Sequence, residues 1–346
     1  MSFSYVPVLK AKDGELIALR NLTPELKAGL MPLIELQPKK SSSLLERNLG
    51  QIKKGWGQEL PLLLDVDKDY LIKNASSATQ NMSDSVGELT QSGFTVIPVT
   101  GLGRPTIFNG LISAILGDTH NGICIRLRSS DWQDVSSLAS RLKKLVQGFS
   151  LDFDQVDLVF DYEAFPPNSL GTIITSAVAA INSVSNVDRY RNLIITATAF
   201  PSQLSSQPHA IYRFPRSEYE AWSILASNPK LKRKPIFGDY TTIHPVFPDI
   251  DFTKGIKVAP KIKYATDSEW IFLRWDAGDF EDFYEVCKSL IKLSEFSGAD
   301  YSWGDNRMAQ CAATGSRTGN PREWVSIGVN HHLTLVAEQC ANHPVA

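Results

Sequence analysis

Polar side chains follow the apolar segments of this sequence in same-face pairs. Asp65 and Asp67 end the run LPLLLDVD, and Arg126 and Arg128 end the run GICIRLRS. Because residues two apart on a strand lie on the same face, each pair points in one direction. Further pairs end other segments: Glu35 and Gln37, Asp161 and Glu163, Thr196 and Thr198, and Arg274 and Asp276. The repetition indicates a shared polar site.

Acidic residues outnumber arginines in this set. The arginines are Arg126, Arg128 and Arg274; the acids are Glu35, Asp65, Asp67, Asp161, Glu163, Asp239 and Asp276. Carboxylates at close quarters raise one another's pKa or recruit a hard cation. The pattern predicts Mg²⁺ or another divalent cation held by Asp65, Asp161 and Glu163, the same three residues being the catalytic candidates.

Three interpretations of this site stay open. The acids and arginines suit metal-assisted hydrolysis of a phosphorylated or nucleotide-like small molecule, since guanidinium groups bind phosphate through paired hydrogen bonds. Two carboxylates also suit glycoside hydrolysis. Alternatively, the arginines neutralise the acids in a structural network, because buried charges must be paired.

The predicted ligand-binding set extends to other segments. Lys10 belongs to the N-terminal strand YVPVLK, and Asp239 and Tyr240 belong to the turn FGDYTTIHP. Lysine and arginine side chains are suited to an anionic ligand. The set is Arg126, Arg128, Arg274, Glu35, Asp67, Lys10, Asp239 and Tyr240.

The elements that must position these residues alternate along the chain. Short apolar strand candidates are separated by amphipathic helical segments at intervals that suit βαβ units and a parallel sheet covered on both faces. Counting strands favours a (β/α)₈ barrel, in which the strands' carboxyl ends converge on one rim where active sites are built. An open doubly wound sheet is the alternative.

We predict a single barrel-like domain over residues 1–346. Residues 1–29 form an N-terminal extension, 201–265 an irregular insertion, and 297–346 a Gly-rich loop plus helix. Six strands are clear, and two assignments complete eight. In one, FGDY and FLRWD are strands seven and eight. In the other, FLRWD is the seventh and ADYSWGD the eighth, with 236–265 as an inserted hairpin.

Composition excludes several classes of protein. Hydrophobic residues make up 43% and charged residues 21%, which is typical of a globular protein, and the net charge of −2 argues against nucleic acid as a partner. Absence of a leader and of a long apolar run predicts no membrane association, and four widely spaced cysteines fit the cytoplasm. Zinc-protease, Walker, GxGxxG and GxSxG patterns are absent.

Several segments together resemble the beta protein family. They are YVPVLKAKDGELIALRNL, MPLIEL, FGDYTTIHP and GNPREWVSIGVNHHLTLV, and the similarity spans nearly the whole chain. The resemblance implies a bacteriophage, prophage or antiphage-defence context and carries over no catalytic residues. Two hypotheses follow: a hydrolase of a small anionic ligand, or a non-catalytic module that senses a ligand or protein and acts through a partner encoded nearby.

Overall fold

Eight parallel strands close into a barrel, as predicted. The computed structural model describes residues 3–38, 42–165, 168–202, 210–245, 260–275, 282–314 and 319–343. The barrel strands, in spatial order, are β1 (Tyr5–Lys10), β2 (Leu33–Leu36), β3 (Leu62–Val66), β4 (Val96–Thr100), β5 (Ile123–Arg128), β6 (Val156–Ala164), β7 (Asn192–Thr198) and β9 (Ile236–Asp239).

Helices surround the barrel in the alternation that the sequence predicts. They are α1 (Asp13–Arg20), α2 (Pro24–Ala28), α3 (Ser42–Gly55), α4 (Lys68–Lys73), α5 (Ala75–Gln91), α6 (Thr106–Thr119), α7 (Val135–Gly148), α8 (Leu170–Ser183), α9 (Ser217–Ala226), α10 (Asp282–Leu290), α11 (Trp303–Thr314) and α12 (Pro321–Asn342). The largest apolar core lies between the outward faces of the strands and these helices.

The barrel interior holds a separate core that ends in a polar layer. Its apolar part is formed by inward side chains such as Leu33, Leu63, Val99, Val159 and Ile194. Because side chains alternate across a strand, the residues two positions further along also point inward. After Leu33, Leu63 and Val159 those positions are Glu35, Asp65 and Asp161, so strands that fill the barrel also place charges at its mouth.

The first strand of the predicted N-terminal extension, β1, is part of the barrel. β1 pairs with β2 on one side and with β9 on the other, so it closes the barrel. All six of its residues are buried, including Lys10. Lys10 lies at the carboxyl end of this strand, which has a neighbouring strand on each side.

Both predicted assignments of the last strands need correction. FGDY supplies the eighth barrel strand, β9, which lies inside the predicted insertion 201–265. FLRWD contributes to β11 (Glu269–Arg274), which pairs antiparallel with β8 (Ala210–Pro215) and β10 (Lys261–Ala265) in a three-stranded small sheet. ADYSWGD forms a turn and the start of α11. The barrel needs only one strand from this late part of the chain, because β1 already supplies one of the eight.

Candidate functional site

Charged side chains from two pairs of neighbouring strands, β2 with β3 and β5 with β6, meet at the carboxyl mouth of the barrel. Register places Glu35 beside Asp65 on β2 and β3, and Arg128 beside Asp161 on β5 and β6. Arg126 lies two residues before Arg128 and shares its inward face. The structure therefore brings together five of the residues predicted from the strand ends, and we call them the mouth cluster.

Arg126 is the centre of the mouth cluster. Its Nη1 donates to Glu35 Oε1 at 2.7 Å and to Asp65 Oδ2 at 2.9 Å, and its Nε donates to Asp161 Oδ2 at 2.8 Å. Its Nη2 donates to the Tyr240 hydroxyl at 2.9 Å. The Arg126 side chain is completely buried. A guanidinium with this many partners satisfies its own charge and holds three carboxylates in place.

Arg128 extends the cluster toward solvent. Its Nη1 contacts Asp161 Oδ2 at 2.6 Å, Glu163 Oε1 at 3.1 Å and the Tyr240 hydroxyl at 3.1 Å. Its Nη2 lies 3.7 Å from Glu35 Oε1, and 11% of the side chain is exposed. Arg128 thus shares acids with Arg126 while keeping part of its guanidinium at the surface.

Arg104 joins the mouth cluster although the sequence did not suggest it. Its Nη2 donates to both oxygens of Asp65, at 2.9 and 3.2 Å. Among the described residues its Nε and Nη1 have no hydrogen-bond partner, and 11% of its side chain is exposed. The sequence feature that could have drawn attention to Arg104 is the glycine-containing segment GLGRP, which follows β4. A Cβ on Gly101 would lie 2.6 Å from the Arg126 carbonyl oxygen, so only glycine permits this chain path.

Glu163 differs from the other acids of the mouth. It lies at an irregularity near the end of β6, with φ of 58°, a left-handed conformation that costs a non-glycine residue about 1–2 kcal/mol. Its side chain is 32% exposed and contacts Arg128, with Lys68 Nζ 3.9 Å away. Asp161, by contrast, is fully buried. Glu163 is therefore the acid of the mouth that solvent reaches most easily.

Protonation states in the mouth cluster follow from its contacts. Burial alone would raise the pKa of Asp161, but Arg128, Arg126 and the bond from Tyr240 lower that pKa below its ordinary value. Burial raises the pKa of Tyr240, and the charge of Asp161 raises it further. Tyr240 therefore stays protonated, and its hydroxyl donates a hydrogen bond to Asp161 Oδ2 at 2.6 Å.

Arg274, Asp67 and Lys10, all predicted to bind ligand, lie outside this network. Arg274 lies on β11 of the small sheet, opposite Lys261. Asp67 caps α4 by accepting a hydrogen bond from the Tyr70 backbone N–H at 3.0 Å. Lys10 is inside the barrel end, where its Nζ donates to the Pro245 carbonyl at 3.2 Å. Asp276, the same-face partner assigned to Arg274, lies outside the described residues.

Asp239 points away from the barrel interior, contrary to its predicted place beside Tyr240. Its carboxylate accepts hydrogen bonds from the Tyr5 hydroxyl at 2.5 Å and from His332 Nε2 at 2.6 Å. Burial lowers the pKa of His332, although the charge of Asp239 and the hydrogen bond to it act in the opposite direction. These bonds tie β9 and β1 to α12, which is a structural role.

The predicted metal ligands face arginines. Asp65 is held by Arg104 and Arg126, and Asp161 by Arg126 and Arg128. In the part of the chain that the structure describes, no group of three or more His, Cys, Asp or Glu side chains is arranged to hold a metal ion. A divalent cation at Asp65, Asp161 and Glu163 stays a prediction.

A surface cavity of about 490 Å³ lies elsewhere, along α12. Tyr219 and Tyr301 contribute aromatic side chains, and Asp267 and Glu338 contribute carboxylates. None of the residues predicted from the strand ends lines this cavity.

The described helices include none that is both long and apolar enough to span a membrane.

Comparison with known proteins places the chain among phage proteins. The family model described as Beta protein matches residues 5–338. The chain is also similar to "Protein beta" of Enterobacteria phage P4, with 25% identity over 351 residues, covering 97% of this chain and 94% of that protein. The similarity therefore includes every barrel strand and the small sheet.

Proposed function

The chain belongs to the beta protein family, and on that premise we propose that it is a phage-related binding module that captures an anionic ligand at the barrel mouth. The family supports a phage-related context, and the arginines of the mouth support the binding of an anion. The module would act through a partner in phage–bacterium conflict, including antiphage defence. Phosphate and carboxylate are the ligand groups that guanidinium donors recognise best.

One observation carries this proposal: two arginines of the mouth cluster are only partly used by their acids. Arg104 engages Asp65 through Nη2 alone, and Arg128 makes its close contacts through Nη1 alone. Both side chains reach solvent. A guanidinium can donate five hydrogen bonds, so each retains donors that an anion could use. Arg126, buried beneath them, fixes the acids that orient both.

The burial of the acids favours binding over hydrolysis. Glu35, Asp65 and Asp161 are buried and already accept hydrogen bonds from arginines. A general base must reach the proton that it removes, and a metal ligand must present a lone pair to the ion. Each of these acids would first have to leave an arginine, and breaking a buried ion pair is costly.

Binding of inorganic phosphate tests the proposal. We expect phosphate to raise the melting temperature of the wild type saturably at low ionic strength, because a ligand that binds the folded state stabilises it. Arg104→Gln should lose most of this shift. Arg213→Gln is the matched control, since Arg213 is 37% exposed on β8 and paired with Glu269 and Glu295. A wild type that ignores phosphate, or an Arg104→Gln protein that responds fully, would refute the proposal.

Metal-assisted hydrolysis is the second candidate, and the exposed carboxylate of Glu163 favours it. Solvent reaches this acid, so a cation could approach it without entering the buried part of the cluster, provided that it displaces Lys68, whose Nζ lies 3.9 Å away. The test is a thermal shift with MgCl₂ on the wild type and on Glu163→Gln. A stabilisation that the substitution abolishes would support this candidate, and the absence of any shift would count against it.

A further inference from the structure

Two basic side chains approach one carboxylate oxygen at the rim of the mouth. Glu163 Oε1 accepts a hydrogen bond from Arg128 Nη1 at 3.1 Å, and Lys68 Nζ lies 3.9 Å from the same oxygen. Arg128 ends β5, whereas Lys68 begins α4, which follows β3. Two separate parts of the barrel rim therefore converge on one point, and an anionic oxygen already occupies that point.

The chain path at the end of β6 places the Glu163 carboxylate there. The register of β6 against β7 shifts between Asp161 and Ala164, and Glu163 adopts its positive φ within this irregularity. The Glu163 backbone N–H donates to Asp161 Oδ1 at 2.8 Å, a bond that holds the backbone and not the carboxylate. Strand irregularities of this kind re-aim a side chain and are common beside binding sites.

The contacts of the Glu163 carboxylate are the most exposed among the acids that face the Arg128 guanidinium. The side chain of Glu163 is 32% exposed and that of Lys68 is 46% exposed. The other two acids, Glu35 and Asp161, are 7% and 0% exposed. Ion pairs that water can reach are weak, because water screens them and both side chains lose freedom. Glu163 is therefore the acid that an incoming anion displaces most easily.

Asp131 is a further acid near these two bases, and its contacts differ from those of Glu163. Its Oδ2 accepts a hydrogen bond from the Arg128 backbone N–H at 2.8 Å, and Arg141 donates to its carbonyl oxygen. Burial raises the pKa of Asp131, while the bond from Arg128 and the charges of Arg141 and Lys68 act against this. Asp131 thus holds the backbone of Arg128, whereas Glu163 occupies the guanidinium.

We propose that Lys68 and Arg128 form a phosphate subsite, which the Glu163 carboxylate occupies until the ligand displaces it. This inference rests on the proposed function, in which Arg104 and Arg128 bind the anion. It adds Lys68 as a ligand-binding residue and makes Glu163 a built-in competitor. A phosphate group carries roughly −1.5 to −2 charges at neutral pH and three strong acceptor oxygens, whereas a carboxylate carries one charge and two oxygens. A ligand carboxylate would only replace like with like, so phosphate is the group that the subsite selects.

A double-mutant cycle on Lys68 and Glu163 tests this inference, with inorganic phosphate as the probe in calorimetric titration. Glu163→Gln should bind phosphate at least about threefold more tightly than the wild type, because the competitor is gone. Lys68→Met alone should change the affinity less than about twofold, because it removes a ligand contact and also loosens the competitor. In the Glu163→Gln background, Lys68→Met should weaken binding about fivefold, since only the loss of the ligand contact remains.

The matched control for Lys68 is Lys73, at the other end of the same helix. Its side chain is 72% exposed and pairs with Asp69 on α4. Lys73→Met should leave phosphate affinity within about twofold of the parent protein in both backgrounds. An effect as large as that of Lys68→Met would show that the general positive charge of α4, and not a subsite at Lys68, attracts the anion, and would overturn the inference.

The outcomes separate this inference from the proposed function. Phosphate binding that is lost in Arg104→Gln but unchanged in Glu163→Gln and in both Lys68→Met proteins would overturn the subsite and leave phosphate capture standing. Effects of Lys68 and Glu163 that simply add would also overturn it, because two groups that share one position must be coupled. Failure of both the wild type and Glu163→Gln to bind phosphate would overturn both proposals. Acetate should bind the wild type at least about tenfold more weakly than phosphate, and equal affinities would overturn the selection of phosphate.

Discussion

The two ends of the barrel are both closed by arginine–carboxylate contacts, but with different stoichiometry. At the amino end, Asp157 is fully buried and Arg191 grips it through Nε and Nη2, at 2.8 and 2.7 Å. Asn192 donates to the same carboxylate at 2.7 Å, and Arg191 Nη1 donates to the Asn121 carbonyl at 2.8 Å. Every side-chain nitrogen of Arg191 is used within the protein.

At the carboxyl end of the barrel, by contrast, the arginines have more hydrogen-bond donors than the neighbouring carboxylates use. Arg104, Arg126 and Arg128 share Glu35, Asp65, Asp161 and Glu163, but Arg104 and Arg128 each keep nitrogens that have no hydrogen-bond partner among the described residues. A closure needs only one bidentate pair, as the amino end shows. The extra arginines at the mouth support the proposed binding of an anion, and barrel sites in general lie at the carboxyl ends of strands.

Among the substitutions that test this comparison, removal of Arg126 should cause the largest loss of stability. Arg126→Met leaves Glu35, Asp65 and Asp161 buried beside fewer cations, and we expect a loss of about 3–5 kcal/mol in the free energy of unfolding. Arg191→Met is the matched change at the amino end. It should cost less, because the Arg191 side chain is 29% exposed and water can reach the site. Urea unfolding measures both, and equal losses would contradict the distinction between the ends.

The response to pH should also separate the ends. Glu15, next to β1 at the carboxyl end, accepts a hydrogen bond from the Lys10 backbone N–H at 2.7 Å, and its folded pKa of about 7 exceeds the ordinary 4.5. The folded state then holds this proton more tightly, so the contribution of Glu15 is full below pH 4.5 and is lost as pH rises through 7.

Glu15→Gln tests this sign. The difference in the free energy of unfolding between wild type and variant should change by up to about 3 kcal/mol between pH 4.5 and 7.5, in the direction that weakens the wild type at the higher pH. Urea unfolding at several pH values provides the measurement. Asp157→Asn, at the amino end, is the comparison, and a parallel pH profile for both variants would contradict the assignment to Glu15.

Asp157→Asn should lower stability without altering ligand binding. It weakens the pair with Arg191, which retains the Asn121 carbonyl, so we expect a loss of about 1–3 kcal/mol. Phosphate affinity measured by calorimetry should stay within twofold of the wild type, because the amino end lies at the opposite end of the barrel from the mouth cluster. A large change in affinity would show that the two ends are coupled.

Most of the mouth cluster could be predicted from the sequence because strand geometry places it. The same-face pairs ending β2, β3, β5 and β6 gave Glu35, Asp65, Arg126, Arg128 and Asp161, and parallel strands bring such ends together. Continuous apolar runs separated by helices gave the barrel. Both inferences use local patterns whose spatial consequence is fixed by the fold class.

The remaining errors concern information that local patterns lack. Arg104 lies in a loop, where no periodicity gives the direction of a side chain. Arg274 ends an apolar run like the others, but its strand pairs antiparallel in a separate sheet. Asp239 points outward because Gly238 occupies the inward position, where a Cβ would lie 2.6 Å from Thr196 Oγ1. In a four-residue strand, a contact of this kind, not the pattern, decides which side chain faces inward.

The smallest expected effect belongs to Glu163→Gly, and it sharpens the comparison most. Glycine adopts a positive φ freely, which recovers about 1 kcal/mol, while the lost contacts with Arg128 and Lys68 are partly exposed and worth about 0–1 kcal/mol. Stability measured by urea unfolding should therefore stay within about 1 kcal/mol of the wild type. Phosphate affinity should rise, because removing the exposed acid leaves Arg128 with one fewer competing carboxylate. Glu163→Gln keeps the strained backbone. It should therefore give the same gain in phosphate affinity, without the gain in stability that glycine brings. A loss of more than about 2 kcal/mol in Glu163→Gly would place Glu163 with Asp157 as a structural acid.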